Sequence, residues 1–290
     1  MANLKEVKTR IGSVISTQQI TKAMKMVAAS KLRKAQESIM QMRPYAQKLG
    51  EVIENVSGGL EDGQNSYVTS REENKILIVA ISSDRGLCGP FNANVFKRVA
   101  QLIHTKYETQ FDAGDVQILP IGKKALDFFK KRKYNVIDDF VNIFSRLSFQ
   151  SAREAAEFVM KAYHEERIDK VEIVYNEFKN IGTQIMQSEQ LLPLQNADND
   201  EQNLNNDYIF QPNQNVLIEE LIPKAIKVQF YKAILESNAS EHGARMTAMD
   251  KATENADEIL KDLRLTYNQT RQAAITTEIL EIVAGAEALG

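Results

Sequence analysis

LKEVKTRIGSVISTQQITKAMKMVAASKLRKAQESIMQMRPYAQKLGEVIENV, residues Leu4–Val56, carries one position that recurs at alternating steps of three and four. The series is Leu4, Val7, Ile11, Val14, Gln18, Thr21, Lys25, Ala28, Leu32, Ala35, Ile39, Met42, Ala46, Leu49, Ile53 and Val56. Such a heptad seam marks a long coiled-coil helix, here with a polar stretch from Gln18 to Lys25. Ser57-Gly58-Gly59 supplies the stop. Pro44 falls inside the seam, which continues in phase beyond it, so a kink near Met40–Arg43 is expected rather than an end.

A second seam runs from about Asn213 to Leu289 through Leu221, Ala225, Val228, Leu235, Ala239, Met246, Met249, Ala256, Leu260, Leu263 and Tyr267. Pro212 suits a helix start; Pro223 leaves that start uncertain by about ten residues. Both seams meet the middle of the chain at their inner ends, so the helices should pair antiparallel. At ~1.5 Å per residue they are ~80 and ~115 Å long. With Leu4 beside residues 260–270, near Thr266, the C-terminal helix outruns its partner.

Between the seams the pattern changes to strands alternating with helices. Lys75–Ile81 (KILIVAI) is an apolar run suited to a strand covered on both faces. Further strands are expected at Val116–Ile121, Asn135–Phe140, Lys170–Glu177 and, antiparallel at the sheet edge, Thr183–Leu194. Helices are expected at Asn92–His104, Lys123–Lys133 and Ser151–Arg167. The fold class is therefore α/β with a long α-helical coiled coil: an antiparallel N-/C-terminal helix pair plus a central Rossmann-like, mostly parallel sheet. The expected organisation is an N-terminal coiled-coil helix over 1–57, an α/β domain over 70–207 and a C-terminal coiled-coil helix with a protruding tip over 208–290. Ser57–Ser70 and the acidic, Asn-rich Asn196–Asp207 read as linkers.

The 290 residues carry a net charge of -3, unevenly placed. Residues 1–48 hold ten Lys/Arg against Glu6 and Glu37, a balance of +8, so the remainder carries -11. No apolar run is long enough to span a membrane, and MANLKEVKTR lacks the apolar stretch of a secretory signal. One cysteine, Cys88, excludes an intrachain disulfide and fits a reducing compartment. His104, His164 and His242 show no metal-ligand spacing, and no cofactor is expected.

Three segments invite a functional reading. Ser82–Gly89 (SSDRGLCG) follows a strand and precedes a helix, where an α/β sheet often binds phosphate or activates a thiol. It matches neither the dinucleotide nor the Walker pattern. The plain alternative is a tight structural turn of Asp84, Arg85, Gly86, Cys88 and Gly89, with Cys88 packed as a small apolar residue. The basic band Lys22, Lys25, Lys31, Arg33 and Lys34 suits nucleic acid, an acidic protein surface or a solvated coiled-coil flank; it has no aromatics to stack on bases. At the C-terminal tip, Ile275, Ile279, Leu280, Ile282, Val283 and Leu289 cover more than one stripe of the helix, which calls for burial by another chain or by fold-back. Arg271 and Gln272 stand where the polar part becomes apolar.

Ile20–Leu32 (ITKAMKMVAASKL), Asp84–Gly89 (DRGLCG), Ala244–Met249 (ARMTAM) and Arg271–Leu289 (RQAAITTEILEIVAGAEAL) together resemble the gamma subunit family of F-type ATP synthases, over the whole chain. The resemblance implies a central rotor stalk without catalytic residues, turning inside a hexamer of alternating alpha and beta subunits whose beta sites perform the chemistry. Proton flow through the membrane c-ring drives the rotation, and the stalk regulates ATPase activity. By position it implies hexamer contacts at Met24, Lys25, Lys31, Arg271, Gln272, Ile275, Ile279 and Ile282. It implies foot contacts with the epsilon subunit and c-ring at Tyr208, Ile209 and Phe210, and with the delta subunit only indirectly. The redox-regulated relatives carry an insertion with two cysteines that this chain lacks. No transit peptide precedes MANLKEV, which favours a bacterial protein peripheral to the cytoplasmic face of the inner membrane. The runner-up is an α/β enzyme with a coiled-coil arm using Asp84–Gly89; a third reading is a basic adaptor for nucleic acid.

Overall fold

A computed structural model describes residues 4–57, 67, 69, 71–194 and 214–287. The chain forms two compact units, Met1–Ala29 with Met246–Gly290, and Ser30–Arg245. Helix α1 (Leu4–Ser57) and helix α6 (Gln214–Glu287) each contribute to both.

In the second unit, β1 (Ile76–Ile81) is the sheet's central strand. It pairs in parallel with β2 (Val116–Ile121) and β4 (Lys170–Asn180). The short β3 (Asn135–Val136) adds to β2 in parallel, and β5 (Thr183–Leu192) closes the other edge as an antiparallel hairpin with β4. The order β3-β2-β1-β4-β5 is the Rossmann-like arrangement expected. The two faces of β1 explain its apolar run. Leu77, Val79 and Ile81 pack with α5 (Phe149–His164) and α6, through Ala155, Val159, Tyr163, Ile226 and Phe230. Ile76, Ile78 and Ala80 pack with α2 (Phe91–Lys106) and α4 (Lys123–Lys131), through Val95, Val99, Ile103 and Phe129.

Four local features depart from the sequence reading. A strand was expected through Phe140, but β3 ends at Val136, because Ile137 and Phe140 turn inward against the α5 side of the core. Helix α5 begins at Phe149 because Ser148 caps it: Ser151 N–H donates to Ser148 Oγ at 3.3 Å, and Ser148 N–H donates to Ser151 Oγ at 3.2 Å. A short helix α3 (Glu108–Ala113), ended by left-handed Gly114, and a 3-10 turn at Ile143–Arg146 were not foreseen. Helix α1 runs on through Pro44.

In the first unit α1 and α6 pair antiparallel. Val7, Thr21 and Ala28 of the first seam are buried, as are Met249, Ala256 and Leu260 of the second. Thr21 faces Thr253, Lys25 faces Asp250 and Gln18 faces Asp257. Continuing that pairing by equal steps puts Leu4 across from Arg271, about one helical turn beyond Thr266. Within the second unit the seam persists, with Leu32, Ala35, Ile39 and Leu49 buried on α1 and Val228, Leu235 and Ala239 buried on α6.

Candidate functional site

The polar stretch of the first seam builds a ladder across the helix pair. Gln18 Nε2 donates to Asp257, the hydroxyls of Thr21 and Thr253 lie 2.8 Å apart, and Lys25 Nζ sits 2.5 Å from Asp250 Oδ1. Lys25 is thus an internal partner of α6. Arg33 pairs with Glu37 at 3.3 Å within α1, while Lys22, Lys31 and Lys34 are exposed. Met24 is half-buried. Sequence reading missed Ile20, Met26 and Val27, which point outward at 57–62 % exposure. Their signal was present: apolar residues at positions off the seam.

Beyond the pairing limit, Arg271–Glu287 is exposed at every residue, Arg271 and Gln272 included. Ile275, Ile279, Leu280, Ile282 and Val283 stand bare, with Ile282 at 71 % exposure. Thr276 and Thr277 donate their hydroxyls to the carbonyls of Gln272 and Ala273 one turn back, at 2.9 and 3.0 Å. Their hydrogen-bonding capacity is turned into the helix, which leaves methyl and methylene groups to dominate the surface.

The turn after β1 uses its polar groups internally. Asp84 Oδ1, Ser83 O and Ser82 Oγ accept from the backbone N–H groups of Lys123, Lys124 and Ala125 at 3.1, 3.1 and 2.8 Å. Those are the first three donors of α4, which a bound phosphate would otherwise use. Gly122 permits this approach: at φ +100° a Cβ there would lie 2.4 Å from Ser82 O. Cys88 is buried; Asn92 Nδ2 donates to its Sγ at 3.2 Å, and burial pushes its thiol up from the ordinary range. The left-handed residues are Leu87 (φ 65°) and Gly89 (φ 58°), so Gly86 is not the conformationally demanding one of the two glycines. Arg245 of α6 donates to Arg85 O at 3.0 Å and Gly86 O at 3.2 Å and pairs with Glu241. Tyr208, Ile209 and Phe210 lie outside the described residues. Among the described residues, no three His, Cys, Asp or Glu side chains converge as metal ligands.

A polar-laddered antiparallel helix pair with a bare apolar end, on a chain that also forms a Rossmann-like domain, defines a coiled-coil α/β protein. A family model described as ATP synthase matches residues 3–289. The ATP synthase gamma chain of Cytophaga hutchinsonii is 55 % identical, covering 100 % of this chain and 99 % of its own length. That of Christiangramia forsetii is 52 % identical with the same coverage. Among solved structures, a chain of the Euglena gracilis mitochondrial ATP synthase OSCP/F1/c-ring assembly shares the fold. Its TM-score is 0.71 at 22 % identity, over 99 % of this chain and 94 % of that one. The chain belongs to the ATP synthase gamma chain family.

Proposed function

We propose that this chain is the central rotor stalk of an F-type ATP synthase. It couples ion-driven rotation of a membrane c-ring to conformational changes at beta-subunit sites, and is itself non-catalytic. The observation that carries this reading is the exposed apolar helix Arg271–Glu287, which has outrun its partner helix. An amphiphilic surface of that size requires cover, and a sleeve formed by an alpha/beta hexamer would supply it. Arg271 and Gln272 would meet a polar collar there, and Ile275, Ile279 and Ile282 the apolar wall. Met24, Lys31, and Lys25 through its pair with Asp250, would face acidic segments of beta; the exposed Ile20, Met26 and Val27 belong to the same face of contact. Tyr208–Phe210 would serve epsilon and the ring, with delta contacted only indirectly. No helix among the described residues is long and apolar enough to cross a membrane. Association with the cytoplasmic face of the membrane would therefore run through partner subunits.

The enzyme alternative is weakened because the Ser82–Asp84 segment already fills the α4 helix start, and Cys88 is buried with a raised thiol pKa. The test is purification of the tagged chain from its host membranes. Alpha, beta and epsilon subunits should be recovered with ATPase activity. Recovery of the chain alone, or with salt-sensitive nucleic acid, would overturn the proposal.

A further inference from the structure

Pro44 makes a weak point in α1. It lacks the N–H that would bond the Met40 carbonyl, and its ring crowds that carbonyl. The residue just before it, Arg43, makes the most constrained polar contact described for this helix. Arg43 Nε donates to Glu236 Oε1 at 2.7 Å, and Nη2 donates to Glu236 Oε2 at 2.9 Å and to Phe178 O at 2.7 Å. Phe178 N–H donates to Glu236 Oε2 at 3.0 Å and closes the ring. Glu236 is fully buried. Three elements thus meet at one carboxylate: α1, α6 and the end of β4.

We propose that Arg43, Glu236 and the Phe178 backbone form a torsional brace that carries load past Pro44, where α1 is continuous but lacks one backbone hydrogen bond. This rests on the rotor reading above. The surrounding seam contacts at Ala35, Ile39, Leu235 and Ala239 are apolar. Such contacts resist separation of two helices but have no directional preference against one rolling or sliding on the other. A guanidinium fork held on both carboxylate oxygens does have that preference, because its donors are fixed in a plane. The β4–β5 hairpin is seated closely enough to share the load: a Cβ at Gly243 would lie 3.4 Å from the Phe178 ring. Torque applied to the α/β domain would then enter α6 and α1 together at the level where α1 alone is least able to bear it.

The test uses the complete ATP synthase in membrane vesicles and reads the ratio of ATP-driven ion pumping to ATP hydrolysis. Arg43→Lys keeps the charge beside Glu236 but cannot span both carboxylate oxygens and Phe178 O. It should lower the ratio by about twofold. Pro44→Ala restores the missing helix bond, should be silent alone, and should return the Arg43→Lys ratio to the wild-type value. An Arg43→Lys complex that couples like wild type would overturn the brace. So would rescue by Glu236→Gln but not by Pro44→Ala, since Arg43 would then only neutralise a buried charge. Should Arg43→Lys fail to assemble, assembly yield becomes the readout: recovery on adding Pro44→Ala supports the brace and non-recovery overturns it. Failure of the unaltered chain to join the complex would instead overturn the rotor reading itself.

Discussion

The hydroxyls of Thr21 and Thr253 lie 2.8 Å apart, and that contact fixes the register of the antiparallel helix pair. Thr21 Oγ1 also lies 3.0 Å from Gln18 O and Thr253 Oγ1 2.8 Å from Met249 O; each hydroxyl has one proton, so one of the two donates to the carbonyl of its own helix and the other donates across the pair. Continuing this register by equal steps puts Val7 opposite Tyr267 and Asn268, one turn beyond Leu263. In a Cys88→Ala background, cysteines at Val7 and Tyr267 should form a disulfide faster than cysteines at Val7 and Leu263. The reverse order, or crosslinks only between different chains, would refute the register.

Cys88 is buried and should act only as a packing residue. Replacement by Ala should leave rotational coupling intact and lower stability by about 1 kcal/mol through lost contacts. In the native protein the thiol should react with a maleimide only on unfolding, since burial holds it in the thiol form. Rapid labelling under native conditions would contradict this.

His242 should make the fold sensitive to acid. Burial, aided by the positive charges of Arg245 and Lys31, lowers its pKa from 6.5 to about 4, and its Nδ1 has no hydrogen-bond partner among the described residues. Above pH 6.5 both folded and unfolded chains hold the ring neutral. Below it the unfolded chain gains a proton that the folded chain refuses until about pH 4, so stability falls on acidification across that window. Glu241 beside it is shifted upward by burial and opposes the trend, which makes the comparison with a variant necessary. Denaturant titrations should show His242→Gln losing less stability than wild type between pH 7 and pH 5, by about 2 kcal/mol. Parallel losses would exclude His242 as the cause.

Lys25 and Lys31 should behave differently. Lys25 is half-exposed and paired with Asp250, so Lys25→Ala should weaken the helix pair by about 0.5 kcal/mol. Lys31 is exposed, and its reversal to Glu should change coupling efficiency in the complex more than assembly, with the effect shrinking at high salt. Wild-type coupling of Lys31→Glu at both low and high salt would remove the electrostatic account.

The tip should act as a bearing. Truncation from Glu281 should weaken assembly yet leave rotation-coupled hydrolysis, because apolar contact holds without directional bonds. Truncation from Arg271 should do more harm by removing the polar pair as well. Hydrolysis and ion pumping by reconstituted complexes decide it: loss of hydrolysis on removing only the last few residues, in complexes that still assemble, would sink the bearing.

The sequence pattern determined the two long helices and the doubly covered central strand, and the attachment of both helices to the middle of the chain determined their antiparallel sense. The helices are repeats at 3.5 residues and the strand is an unbroken apolar run, in both cases of side chains that must leave water. Every seam position from Leu4 to Ile53 is buried or half-buried, with Gln18 and Lys25 included despite their polarity. The apolar tip was legible for the same reason, as apolar residues outside any stripe. Partnerships between distant residues were not legible. No local pattern announces that Lys25 will meet Asp250, that Ser82–Asp84 will satisfy the start of α4, or that Glu236 will be buried beneath Arg43 and Phe178. These depend on which backbone groups the packed helices and strands bring within 3 Å of one another, a length far finer than a helical turn. The exact register, the internal satisfaction of the Ser82–Gly89 turn and the meeting of Arg43, Glu236 and Phe178 beside Pro44 were therefore decided only by the tertiary structure, where directional hydrogen bonds select among packings that the apolar pattern leaves nearly equal in energy.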